Sequence, residues 1–519
     1  MVPLYKIFNI SKRRNNLADT TRERWSSRTA FLFAAIGSAV GLGNVWRFPY
    51  MAYDNGGGAF LVAWMIGLLV LGIPWLMMEF GLGKMFQKGA PGAFAGIGRK
   101  WEWLGWWPVW VAFLIVAYYA VVIAWALRYA ISSFTMQWGT GEAAAQSTGD
   151  FFYGTILNLS SGPTDFGGME WLTLGMLGLI WIVLFIIMFK GANVIGKVAI
   201  YTVVIPWILL MVLLIRGLTL PGAMEGLNYY LNPDWSALLT GDIWFAAFSQ
   251  IAFTLSVGMA GMYAYGSFLA KKADVNNNAM ITGFANNATS FLAGFAVFST
   301  LGFLASSLSV AVPDVAGSGL GLAFITFPSA ISMMPAANGF IGALFFLTLF
   351  FLGIDSAFFL AHGGVIAPLR DKFGGKLWKW TAGVSIVGFL AGAIFCTQAG
   401  LYWLDMVDRA VSFYGLLLTG ALSCIVVGWF WKPQILRENL NATSDVKIGA
   451  WWDWLIKLVV PIALFFVMIY GGFMNDIPNA YEGYQVGPFN GSHILWLILG
   501  VGLIISFALQ MVRTRGEEA

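Results

Sequence analysis

The stretch Gly37-Ser38-Ala39-Val40-Gly41-Leu42-Gly43-Asn44 interrupts the middle of an apolar run that extends from about 27 to 53. A second interruption, Ser256-Val257-Gly258-Met259-Ala260-Gly261, lies at the middle of a later run, 241 to 270. Small residues also let membrane helices pack closely. Two interruptions at matching positions, five helices apart, instead point to broken helices around a transport site at the bilayer midplane. Unwinding a helix in lipid exposes main-chain polar groups, which is tolerable only where they line a cavity or meet a ligand. Carbonyls of Gly37, Ala39 and Val40 would end one half-helix with partial negative charge, and amides near Leu42 and Gly43 would begin the next with partial positive charge. One end suits a cation and the other a carboxylate.

Working outward, the chain has 519 residues, 59% hydrophobic and 10% charged, against about 25% charged in soluble domains. Spanning helices need about 20 apolar residues each. Runs of that length predict twelve spans: 27–53, 58–86, 104–133, 169–190, 194–216, 241–270, 277–308, 338–369, 377–397, 403–431, 454–473 and 493–512. No room is left for a large soluble domain. All basic residues except Arg47, Arg128, Arg216, Arg409 and Lys457 fall on one side of this arrangement, which the positive-inside rule makes cytoplasmic. Lys12, Arg13 and Arg14 precede the first span without the apolar core of a signal peptide, and Arg513 and Arg515 follow the last, so both termini are expected in the cytoplasm. The net charge of +4 implies no nucleic-acid partner, and Cys396 and Cys424 suggest neither a disulfide framework nor a metal cluster.

Polar residues within the spans collect near the interruptions: Asn44, Gln250, Thr254, Ser256, Asn286, Ser290, Asp355 and Ser356. Oxygen dominates this set, as hard cations such as sodium prefer. Gln250 and Thr254 share a helix face by their i,i+4 spacing, as do Asn286 and Ser290. A membrane Asn or Ser alone often serves as glue between helices. Asp355 is different, since a lone carboxylate at that depth costs roughly 2.5 to 3.5 kcal/mol and calls for a cationic partner.

These residues resemble the neurotransmitter:sodium symporter family, whose structural prototype is the bacterial leucine transporter. The resemblance covers about 22 to 512 and is strongest at Gly41-Leu-Gly-Asn-Val-Trp-Arg-Phe-Pro-Tyr50, Asn55-Gly-Gly-Gly-Ala-Phe60 and Gln250-Ile-Ala-Phe-Thr-Leu-Ser256. It implies an all-α polytopic fold of twelve helices, a 5+5 inverted repeat plus two, with helices one and six unwound at mid-membrane. The expected organisation is a basic N-terminal segment (1–26), a first half (27–216), an outer loop (217–240), a second half (241–432), helices eleven and twelve (433–512) and a tail (513–519).

Carried over by the resemblance, the first sodium site comprises Ala39, Asn44, Thr254 and Asn286, completed by the substrate carboxylate. The second comprises Gly37, Val40, Leu352, Asp355 and Ser356. A chloride site maps to Trp64, Gln250, Thr254, Asn286 and Ser290, where Trp64 stands at a tyrosine position. Helix seven has no acidic residue, so chloride would supply the negative charge that chloride-independent relatives carry near Ser290. The substrate pocket corresponds to Ala39, Leu42, Gly43, Ile115, Tyr119, Phe253, Thr254, Ser256, Met259, Ser356 and Leu360. Glu79 matches a glutamate that ties down the unwound sixth helix.

The resemblance makes Arg47 with Asp408 and Asp405 the outer gate, and Arg22 with Asp371, next to Trp25, the inner one. Phe268 stands there for a usual tyrosine, and Asp371 comes one residue later than the family pattern. His362, seven residues after Asp355, could titrate near neutral pH or be held by a hydrogen bond. Gly41 stands where monoamine carriers have an aspartate, which favours a substrate with its own carboxylate. The expected activity is sodium-coupled import of a neutral, hydrophobic amino acid, with glycine, alanine, γ-aminobutyrate or taurine as alternatives. An ion channel of the same fold would pass current without amino acid. An enzyme would need a nucleophile with its base, which neither His362 nor His493 supplies. Besides substrate, ions and the lipid bilayer, no obligatory protein partner is evident. A second outer loop without a cysteine pair fits a prokaryotic plasma-membrane protein.

Overall fold

The computed structural model describes residues 22–317 and 319–512. Residues 1–21 and 513–519, with Lys12, Arg13, Arg14, Arg513 and Arg515, lie outside the described residues. Helix α1 is in two pieces, Arg28–Ala39 and Leu42–Asp54, bent by 62° at the break. It is followed by α2 (Gly58–Phe86), α3 (Arg99–Ser133), α4 (Trp171–Met188) and α5 (Ala192–Leu218). Helix α6 is again two pieces, Gly241–Thr254 and Gly261–Ser267, neither long enough to span alone. Then come α7 (Val275–Leu308), α8 (Asn338–Phe373), α9 (Leu377–Cys396), α10 (Gly400–Phe430), α11 (Trp451–Gly483) and α12 (Gly491–Met511). The described residues therefore form the expected twelve-span helical fold, with α1 and α6 broken.

Local chemistry sets the helix ends. Ser27 caps α1 by accepting from the Ala30 amide at 3.0 Å, and Asp274 caps α7 by accepting from Asn277 at 3.0 Å. The apolar run predicted to end at 473 continues as helix to Asn479, with a kinked turn on to Gly483, because its polar extension finds partners. There Asp476 accepts from Arg409 Nε and from Tyr414, each at 2.8 Å.

Helices α3, α8 and α10 form the interior, each with 78% of its apolar window buried, against 28% for α12. Lipid gives helices no hydrophobic reason to associate, so close packing and interhelical hydrogen bonds hold such a bundle together. The breaks are held in this way. Val40 and Gly41 leave helical geometry for extended backbone. At Gly41 a Cβ would stand 2.8 Å from Ser356 Oγ and 3.1 Å from Tyr119 Oη, so a side chain has no room. In α6 the chain turns through positive φ at Ser256, Gly258 and Ala260, a conformation unfavourable for non-glycine residues. Glu79 stabilises that path: its Oε1 accepts from the Gly258 amide at 2.8 Å and from Trp75 Nε1 at 2.9 Å. Ser256 Oγ donates to the Ser38 carbonyl at 2.7 Å and ties the two breaks together.

Candidate functional site

Four side chains from three helices meet beside the α1 break. Asn44 Nδ2 donates to Asn286 Oδ1 at 2.9 Å and to Ser290 Oγ at 2.7 Å, while Thr254 Oγ1 donates to Asn286 Oδ1 at 3.3 Å. The Gly41 amide donates to Asn44 Oδ1 at 2.8 Å. All four side chains are buried. The arrangement gathers amide and hydroxyl oxygens, without carboxylate, next to the carbonyls released by the break.

Nearby, α2 packs on the first piece of α6, bringing in Trp64 and Gln250. Both are buried, and neither Trp64 Nε1 nor the Gln250 amide has a hydrogen-bond partner. Buried donors left unpaired cost about 1–3 kcal/mol each. An anion accepting from them would remove that cost.

On the other side of α1, Asp355 lies against Gly37, where a Cβ would stand 2.9 Å from Asp355 Oδ2. Thr202, on α5, donates to Asp355 Oδ1. Asp355 Oδ2 is buried without a partner, and no basic side chain pairs with it among the described residues. A cation in this position fits that oxygen and the carbonyls at the end of the half-helix. Ser356 and Leu352 stand one residue and one turn away, and Ser356 Oγ reaches the Leu352 carbonyl at 3.4 Å.

The residues expected to form the substrate pocket, between these two clusters, are mostly apolar. Ile115, Met259 and Leu360 are buried, whereas Tyr119 and Phe253 are half-buried. Tyr119 Oη accepts from the Leu42 amide at 3.2 Å, so one amide released by the break already has a hydroxyl against it. Ser256 lines the α6 break with its hydroxyl engaged by Ser38.

The two ends of this pocket differ. At one, Arg47 stacks 4.6 Å from the Phe253 ring centroid and, among the described residues, forms no direct ion pair with an acid. Asp408 accepts instead from Tyr118, whose hydroxyl also meets Ser412 at 2.9 Å. Asp405 does not join this group. It accepts from Tyr481 at 2.9 Å and Tyr484 at 3.0 Å, so it anchors the end of α11 and the start of the segment that leads to α12. The i,i+3 spacing of Asp405 and Asp408 leaves roughly 60° between the two side chains, enough here for each to meet different neighbours.

At the other end, Arg22 forms an ion pair with Asp371 and donates to Ser267. Its guanidinium lies 4.8 Å from the Phe268 ring. Trp25 Nε1 donates to the Tyr265 carbonyl at 3.0 Å, and the Gly89 amide donates to Asp371 Oδ2 at 2.7 Å. Glu23 was not singled out from the sequence, yet it pairs with Arg370 at 2.8 Å and accepts from the Ala192 amide at 2.8 Å. Thr202, Tyr118 and Ser267 were likewise missed. A hydroxyl inside an apolar run such as Thr202 is a weak signal, because its partner is set by a helix far away in sequence.

Oxygen-rich clusters buried within the membrane span between two broken helices define a polytopic membrane transporter rather than an enzyme. The sodium:neurotransmitter symporter family matches residues 22–148 and 140–515. An uncharacterized sodium-dependent transporter of Methanocaldococcus jannaschii is 38% identical over 497 residues, covering 95% of this chain and 98% of its own length. The sodium- and chloride-dependent taurine transporter of Canis lupus familiaris is 33% identical, covering 90% of this chain and 80% of its own. The sodium- and chloride-dependent GABA transporter 2 of Homo sapiens is 31% identical, covering 95% and 86%. The chain belongs to the sodium:neurotransmitter symporter family and is a sodium-dependent symporter of small molecules.

Proposed function

We propose that this symporter imports a neutral zwitterionic amino acid, with two sodium ions, by alternating access. One observation carries the reading: Asp355 Oδ2, buried, unpaired and facing the end of a half-helix. A cation there neutralises the carboxylate. The second ion sits among Ala39, Asn44, Thr254 and Asn286 and touches the substrate carboxylate, so each raises the other's affinity equally. Ala39, Leu42 and Gly43 present main chain to the substrate; Ile115, Tyr119, Phe253, Met259 and Leu360 surround its side chain, and Ser256 and Ser356 leave it space. Gly41 offers no acid to a bare amine, which supports a substrate carrying its own carboxylate.

The unpaired donors of Trp64 and Gln250 support chloride coupling, with Ser290, Thr254 and Asn286 completing that site. A second substrate reading, a non-α zwitterion such as taurine or γ-aminobutyrate, draws support from the names of the taurine and GABA relatives. Arg22 with Asp371 forms the inner gate and Arg47 with Asp408 the outer one, in a plasma membrane with both termini cytoplasmic and an inverted repeat relating 27–216 to 241–432. The test is binding of a panel of α- and ω-amino acids to purified protein in sodium or potassium, each with chloride or gluconate. Sodium-dependent binding of a neutral zwitterion is expected, weakened by gluconate. Sodium currents without any amino acid, and no binding, would instead indicate a channel.

A further inference from the structure

One titratable group at the Arg22 end belongs to neither the ion clusters nor the pocket. His362 is fully buried in a π-helical stretch of α8, Phe359–Ile366. Its Nε2 lies 3.2 Å from Glu23 Oε2, within ion-pair distance, its ring centroid lies 5.8 Å from that of Phe268, and neither ring nitrogen has a hydrogen bond of good geometry. Glu23 belongs to the segment before α1, so this contact joins that segment to α8 beside the Arg22–Asp371 pair. The Ala192 amide at the start of α5 and the Arg370 guanidinium hold the same carboxylate. Burial pushes the Glu23 carboxyl up, but His362, the Ala192 amide and Arg370 outweigh it and bring it down to about 2. Arg22, paired with Asp371, rests on the same Phe268 ring, and Tyr265 on α6 also lies near the Glu23 carboxylate. On α9, Lys379 lies over Trp378.

We propose that His362 and Glu23 form a proton-binding site within the gate at this end: the closed gate holds a proton on His362, and opening releases it to the solution on that side. A buried imidazolium needs its counter-charge, because stranding one charge of a buried pair is strongly unfavourable. When the segment carrying Glu23 withdraws, the imidazolium is left against Phe268 and gives its Nε2 proton to water. Neutral His362 then needs no partner. By linkage, a proton that favours the closed state is equally favoured by it. Acid on this side therefore delays opening, and rising pH promotes it. The inference rests on the two-gate reading of the transport cycle, but its test needs no transported substrate.

The chain has two histidines, and His493 is exposed at the start of α12, so histidine-selective isotope labelling yields two assignable ring signals. At about pH 7.5, above the range of an ordinary histidine, His362 in the wild type is expected to show imidazolium shifts. The same ring in Glu23→Gln should be neutral. A neutral His362 in both proteins overturns the proposal. Gate position is read in parallel by distance measurement between nitroxides on Lys271→Cys and Lys376→Cys, two exposed positions on this rim, with Cys396 and Cys424 replaced by alanine. The ratio of long to short distances is expected to rise about tenfold between pH 6 and pH 8, one decade corresponding to about 1.4 kcal/mol, and to be flat in His362→Gln. A flat wild-type response, or one that survives in His362→Gln, overturns the coupling. A pH response alongside absent sodium-dependent amino-acid binding would sink the transport reading while leaving the proton site standing.

Discussion

The Arg22 and Arg47 ends of the pocket use the same cation in opposite ways. Arg22 is held by a carboxylate, a hydroxyl and an aromatic face at once, and Glu23, Arg24 and Trp25 beside it each reach another element. Arg47 rests on one ring, and Asp408 is occupied by a tyrosine. Directional, multiply shared contacts lock one end. The other keeps its charges apart, so that something placed between Tyr119 and Phe253 can draw them together. Under the alternating access proposed above, this asymmetry predicts that the Arg47 end responds first to substrate.

The comparison breaks most readily at its centre. Asp355→Asn removes the charge that a cation at Gly37 and Val40 would neutralise, and sodium affinity should fall at least about 100-fold, the effect of several kcal/mol lost at a buried ionic site. Equilibrium sodium binding to purified protein checks this; unchanged affinity would place the cation elsewhere. Next, Asp371→Asn deprives Arg22 of its partner. The open fraction at that end should rise roughly tenfold, since the pair keeps partial solvent contact and lies between exposed and buried cases. Spin-label distances on the rim read it, and an unshifted distribution would mean that the surrounding hydrogen bonds suffice.

Smaller effects sharpen the picture. Gly41→Ala should weaken substrate binding about tenfold while leaving Asp355-dependent sodium binding intact, because the added Cβ meets Ser356 Oγ and Tyr119 Oη. Equal losses of both would show a distorted break instead. Asp408→Asn should slow substrate entry by a few-fold and Asp405→Asn should leave transport within about twofold, as the two acids serve different neighbours; the reverse ranking would restore Asp405 to the gate. Glu23, lowered from an ordinary 4.5 to about 2, contributes fully above 4.5, and its contribution fades only as pH falls toward 2. Between pH 5 and pH 8 its own titration should therefore add no slope to gate closure, which rim distances in His362→Gln would measure.

Sequence reading reached the chemistry of single residues and stopped at their partners. Twelve spans, two interrupted helices and the lone carboxylate Asp355 follow from hydropathy, small residues in mid-span and the cost of charge in lipid. These are properties of a residue against its solvent, and they survive without knowing the neighbours. The tertiary structure alone decided that Asp355 takes a hydroxyl from Thr202, that Asp405 turns to Tyr481 and Tyr484, and that Glu23 bridges α5, α8 and His362. Each partner lies tens to hundreds of residues away in the chain. Helical spacing states which face a side chain occupies, but only the packing of one helix on another states what that face meets.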